Sequence, residues 1–252
     1  MTGDADIRRL DELAARAART GRPCFTKFLE PAMDAAARAA AGRAGAQIGF
    51  WGGWPGAERR VAAFYADEAP APEEYPVAAL RITWNARFAH PGHRDLLGAV
   101  MGLGIDRDTT GDIVPAEYRG APCACLFALE EMAGYIAGSL NGAGRASVKA
   151  EIAEETPRLQ PEEGEPLRAT VQNPRLDAVL AAGWRLSREE AKRLISAGLV
   201  KLNHEQTLRA DARIAEGDLI SARGRGRLRV QGFQGESRRG RLVVALVRYG
   251  NK

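Results

Sequence analysis

Between residues 173 and 252 lie side chains suited to gripping phosphate: Arg175, Arg188, Lys192, Arg193 and Lys201, then Arg223, Arg225 and Arg227. Guanidinium and ammonium groups donate several N–H bonds and stay charged at neutral pH, so their chemistry is anion recognition and not proton transfer. Ser187 and Asn203 add uncharged donors. Arg188 and Lys192 stand four apart and share one edge of a helix, with Arg193 about 100° further round. Arg223, Arg225, Arg227 and Arg229 alternate, and in an extended chain they would share one side. Gly224 and Gly226 leave the backbone between them open to close approach. Such donors on a helix edge and an adjoining turn suit the irregular backbone of folded RNA. We expect them to converge on one RNA-binding surface.

Other constellations are weaker. His90, His93, Cys123 and Cys125 include metal-ligating types, but Cys-x-Cys is not the usual zinc spacing. A small buried cysteine pair is expected instead, with no metal and no cofactor. His93-Arg94-Asp95 matches a kinase catalytic triplet without the downstream residues that mechanism needs. The glycine-containing stretch GLGIDRD falls between a helix and a strand, the wrong context for a nucleotide loop. No catalytic residue is therefore expected. Trp84 and Phe127 fall on strands and are expected in a core. Trp51 and Trp54, in a glycine-rich loop, are candidates for exposed stacking or a protein contact. Arg94, Arg107 and Arg119 are candidate extensions of the basic surface.

Charge is distributed unevenly. Residues 173–252 hold 17 lysines and arginines against 8 acids, a net of +9, although the 252-residue chain nets only +4. The first 172 residues are thus acidic, and the basic remainder is matched to a polyanion. Hydrophobic residues make up 45%, ample for packed cores. No apolar run reaches the roughly 20 residues of a membrane helix, and the opening residues lack a signal-peptide core. Three cysteines, an odd number, argue against a disulfide framework, so a cytoplasmic monomer without membrane contact is expected.

The elements that must position these residues follow from periodicity. Helices are expected over residues 6–19 and from Pro31 to about residue 44, then two strands at 47–51 and 59–65. Residues 77–152 read strand, helix, strand, strand, helix, strand, the order of an α/β plait. An acidic segment with three prolines follows and reads as a linker. Asn173-Pro174 reads as a helix start and Gly183 as its end. Ser187 with Glu190 forms a capping box for a second helix, and strands complete the chain with a closing hairpin. The fold class is α+β: an N-terminal α/β region over 1–75, a βαββαβ plait over 76–152, a linker over 153–172 and a basic module over 173–252.

The basic module resembles the S4-type RNA-binding domain. The carrying residues are PRLDAVLAAGWRLSREEAKRLISAGLVKLN and AEGDLISARGRGRL. The family usually has Gly in the turn after Asn203, where this chain has His204-Glu205. The resemblance implies that Arg175, Ser187, Arg188, Lys192, Arg193, Lys201 and Asn203 face RNA. Across the whole chain, TKFLEP, HRDLLGAVMGLGIDRDTTGDI and GRASV in that order, with the C-terminal module, resemble the YlmH-type bacterial proteins. That resemblance implies an RRM-like middle plait and a non-catalytic role on the large ribosomal subunit. There the family engages rRNA and tRNA in quality control of stalled chains. Some members are linked to cell division, so a protein-interaction adaptor is one alternative. The other is an RNA-modifying enzyme of the pseudouridine synthase or rRNA methyltransferase type.

Overall fold

The computed structural model describes residues 4–161, 163–237 and 240–250. Two residues of the closing hairpin's turn and the last two of the basic module lie outside them. The chain forms two compact units that divide between Pro161 and Glu162.

In the first unit, helix α1 (Asp4–Thr20) precedes strand β1 (Cys24–Leu29), and helix α2 (Asp34–Ala44) precedes β2 (Gln47–Trp51) and β3 (Arg60–Tyr65). These strands form an antiparallel sheet in the order β1-β3-β2. β1 is an element the residue pattern left unassigned: it is six residues long and is held mainly by its long-range pairing with β3. Alanines of α2 pack with Leu10, Leu13 and Ala14 of α1, which is why an alanine-rich helix suits this close crossing.

The plait follows as β4 (Val77–Trp84), α3 (His93–Met101), β5 (Thr110–Tyr118), β6 (Ala121–Leu129), α4 (Glu130–Ser139), β7 (Gly142–Ala143), β8 (Ala146–Ile152) and β9 (Arg158–Leu159). Its strands lie in the order β7-β8-β4-β6-β5-β9. The expected βαββαβ order is present, and the periodicity places its ends within a few residues. Side chains alternate across the sheet. Leu80, Ile82, Leu126 and Ala128 face α3 and α4. Cys123, Cys125, Phe127 and Leu129 face the other way, and there they meet Phe28, Val61, Tyr75, Trp51 and Trp54. The N-terminal layer therefore lies on the plait's second face and shares a core with it.

That arrangement decides three sequence expectations. Phe127 is 1% exposed, and Trp84 packs with the helices, so both serve the core. The two cysteines are buried as free thiols, and desolvation pushes the Cys125 thiol up to about 12. Trp51 and Trp54 were candidates for exposed stacking. Instead they are half-buried against the Phe127 core, and the Trp54 indole N–H donates to Asp112 at 3.4 Å. Asp112 also accepts from the backbone N–H groups of Glu58 (2.7 Å) and Arg59 (3.2 Å), tying the glycine-rich loop to β5.

In the second unit, β10 (Glu165–Val171) leads into α5 (Leu176–Trp184) and α6 (Arg188–Ser196). Then come β11 (Val200–Leu202), β12 (Glu205–Gln206), β13 (Leu219–Ala222), β14 (Gly226–Glu236) and β15 (Leu242–Tyr249). The sheet order is β10-β15-β14-β13-β11-β12. The segment read as a linker thus supplies β10, which pairs with β15 along its length. The prolines do not prevent this: β10 is an edge strand, where a missing N–H costs no ladder bond. The helices cover one face through Leu176, Val179, Leu180, Ala191 and Ile195, which meet Val200, Ile220, Leu228, Val244 and Leu246.

Two local readings change. Asn173-Pro174 does not cap α5. Pro174 accepts from the Ile214 N–H, and the Leu176 and Asp177 N–H groups donate to Ala212 and Ala210, so the helix begins at Leu176. Gly183 does not end it either. The C-cap is Arg185 at φ +53, and Gly183 lies inside the helix, where a Cβ would strike Leu228. Its small size permits the close helix–sheet approach.

Candidate nucleic-acid interface

Helix α6 begins as the residue pattern requires. Ser187 Oγ accepts from the Glu190 N–H at 3.1 Å, and Glu190 accepts from the Ser187 N–H at 2.8 Å. Those bonds from Ser187 hold the Glu190 carboxyl below the usual range, aided by the charges of Arg225 and Arg193. Ser187 is thereby a capping residue, its hydroxyl also donating to Glu190 at 2.8 Å. Ser187→Ala should destabilise the second unit by about 1 kcal/mol in urea titrations. The Glu190 titration midpoint, read by carboxyl NMR, should rise in the variant. Because the folded value is lowered, this cap stabilises at neutral pH and fades as pH falls through it.

One buried acid organises the cationic side chains. Asp177 is 0% exposed, and its carboxylate accepts from Arg175 Nε at 3.3 Å and Arg188 Nη2 at 3.1 Å. The arginine side chains remain 42% and 48% exposed. Each guanidinium is therefore fixed at one side and keeps N–H groups for an anion at the other. Burying the carboxylate is tolerable because it is paired twice. Arg175 and Arg188 line a cleft of about 630 Å³ with Arg185 and Arg241, and Thr170, Gln172 and Asn173 add polar groups. Among the described residues four arginines line it. Sequence reasoning missed Arg185 and Arg241. The signal for Arg185 was a base in the short turn between two helices; for Arg241 there was none, because β15 must fold back to bring it here.

The remaining residues divide between places. Lys192 and Arg193 are exposed on α6, with Glu189 3.7 Å from Lys192 Nζ. Arg223 and Arg225 do not lie on an extended strand. They form a tight turn between β13 and β14, with Gly224 at φ +77 and Gly226 at φ +91. The Trp184 indole N–H donates to the Arg225 carbonyl at 2.8 Å, and the Arg223 N–H donates to Leu199, which brings this turn beside the helices. Arg227 and Arg229 do alternate on β14, but Leu228 and Val230 between them face the helices. Arg227 thus lies on the sheet's opposite face. So does Lys201, in register through Ser221 with Arg227 and Tyr249. The expected single surface is two: a cleft-and-helix face and a far sheet face.

Asn203 changes role. It sits at φ +50 with His204 at φ +72, a two-residue turn between β11 and β12. Its amide donates to Asp218 at 2.7 Å and accepts from the Leu219 N–H at 2.8 Å, so it fastens the turn to β13. The turn keeps its left-handed shape without glycine. Of the suggested extensions, Arg107 is engaged by the Thr110 and Gly111 carbonyls, Arg119 stacks on Tyr118, and Arg94 is exposed. Among the described residues no cluster of metal-ligating side chains occurs, and no helix is long and apolar enough to cross a membrane.

Two family matches agree with this architecture. Residues 70–156 match the family described as "Putative RNA-binding domain in YlmH", and residues 174–220 match the S4 domain family. The chain is 32% identical over 226 residues to the "Ribosome-associated protein quality control protein P2" of Bacillus subtilis (strain 168), covering 89% of this chain and 86% of that protein. The solved "Cell division protein ylmH from Streptococcus pneumoniae" superposes with a TM-score of 0.47 at 21% identity, over 58% of this chain and 88% of that one. On the plait, the arginine-lined module after it and the extent of the Bacillus match, the chain belongs to the YlmH-type family of RNA-binding proteins with a C-terminal S4 domain.

Proposed function

We propose that this protein is a non-catalytic RNA-binding protein of the cytoplasm that holds rRNA and tRNA on the large ribosomal subunit and acts as a monomer in quality control of stalled nascent chains. The observation that carries this reading is the cleft in which buried Asp177 presents Arg175 and Arg188 beside Arg185 and Arg241. Fixed, half-exposed guanidiniums suit phosphates displayed by folded RNA. The Bacillus relative's name supports the ribosomal setting. The described residues of the cleft lining supply guanidinium and neutral polar groups, which suit holding a phosphate. The strongly raised groups, Cys125 and Tyr75, both pushed to about 12 by desolvation, lie in the apolar core of the first unit.

Fractionation of lysate on sucrose gradients across a salt series tests the reading. The protein should sediment with large subunits at low salt. Its affinity should fall with a logarithmic slope of roughly −0.7 per phosphate contact on single-stranded elements, steeper on duplex. Recovery only at the top of the gradient at low salt would remove the proposal.

A further inference from the structure

The plait's sheet face is closed by the N-terminal layer, so RNA contact by this unit must come from elsewhere on it. The loop between β4 and α3 offers a different surface. Phe88 is 85% exposed, the most exposed large hydrophobic side chain among the described residues. Its turn is well fixed. The Phe88 and Ala89 N–H groups donate to the Asn85 carbonyl at 3.1 and 3.2 Å, and the Arg87 N–H donates to Asn85 Oδ1 at 3.1 Å. Ala89 packs against the helix-side core, which anchors the loop while Phe88 points outward.

Cations flank this ring in sequence, and another is brought to the same end of the unit. Arg87 and Arg94 are exposed, and residues 85–94 contain no acid. The next acid along the chain, Asp95, accepts from the Gly92 N–H at 3.0 Å. A Cβ on Gly144 would lie 3.0 Å from Asp95 Oδ1, so the turn between β7 and β8 rests on the start of α3 and brings exposed Arg145 to the same end. A lone exposed aromatic is ordinary. An exposed aromatic on a hydrogen-bonded turn, in a segment with arginines and no acid, matches the pairing that holds single-stranded nucleic acid: a stacking ring with phosphate donors at the same end of the unit.

We propose that Phe88 stacks an unpaired RNA base while Arg87, Arg94 and Arg145 hold the flanking phosphates, a second RNA contact separate from the S4-type module. The proposal rests on the RNA-binding reading but is tested apart from it. The full-length protein is titrated with a fluorescein-labelled single-stranded RNA 15-mer, and in parallel sedimented with purified large subunits. Phe88→Ala should bind the 15-mer roughly tenfold more weakly with an unchanged salt slope, because stacking is uncharged. Phe88→Tyr should restore binding. Arg87→Glu with Arg94→Glu should weaken binding and flatten the slope by about 1.4, two contacts on a single strand. Phe88 is so exposed that its removal leaves the core unaltered. Binding of the 15-mer by Phe88→Ala at the native affinity overturns the proposal, as does no binding by the native protein. Native 15-mer binding with lost sedimentation would assign the ring to a protein contact and also overturn it. If the S4-type cleft is not used, Arg188→Ala with Lys192→Ala keeps its sedimentation, whatever the Phe88 variants do.

Discussion

Replacing Arg188 and Lys192 by alanine should lower affinity for large subunits about a hundredfold. Two charge-assisted bonds to phosphate, each of roughly 1.5 kcal/mol, account for this size. The salt slope should flatten as well, since two fewer counterions are released. The structure adds a complication. Arg188 closes on Asp177, which is fully buried, so its loss leaves that carboxylate with Arg175 alone. A cost of about 1–3 kcal/mol to the second unit should accompany the double change. A companion variant removes the ambiguity: Arg185→Ala with Lys192→Ala leaves both Asp177 pairs in place. It should lose at least about tenfold, one contact's worth, with unfolding unaltered. If both variants stay folded by circular dichroism and sediment as the native protein does, the cleft is not the anchor.

Gly53→Ala should destabilise the first unit by about 3 kcal/mol in urea unfolding. Gly53 adopts φ +93, in the region that costs an alanine about 1 kcal/mol. A Cβ there would also lie 2.6 Å from Phe127 Cε1, and that ring is 1% exposed between the layers. It has nowhere to move, so overpacking adds about 2 kcal/mol. Gly120→Ala isolates the backbone part, because Gly120 has φ +77 and open space around it. The two glycines should therefore differ by about 2 kcal/mol. Equal losses would mean that the N-terminal layer yields easily and does not close the sheet face as described. That result would also reopen Phe127 as a stacking residue.

What could be read from residues alone was whatever depends on near neighbours. The Ser187–Glu190 capping box, the end of the second helix near residue 44 and the strand–helix order of the plait each arise from residues a few positions apart. Their hydrogen bonds and apolar stripes repeat at periods of two or 3.6, so the pattern is visible without a fold. The basic types at Arg175, Arg188 and Lys192 were visible for the same reason.

Tertiary structure alone decided the rest, because pairing across distance overrides local preference. The proline-containing acidic segment became β10 because β15 offered it a full ladder. Alternating arginines became a turn plus a far sheet face because two glycines reversed the chain between them. Arg241 reached the cleft, and Asp177 gathered its arginines, through contacts between elements that no spacing encodes. Phe127 was committed to a core by a layer some seventy residues earlier in the chain, whose packing against it depends on shape and not on any repeat.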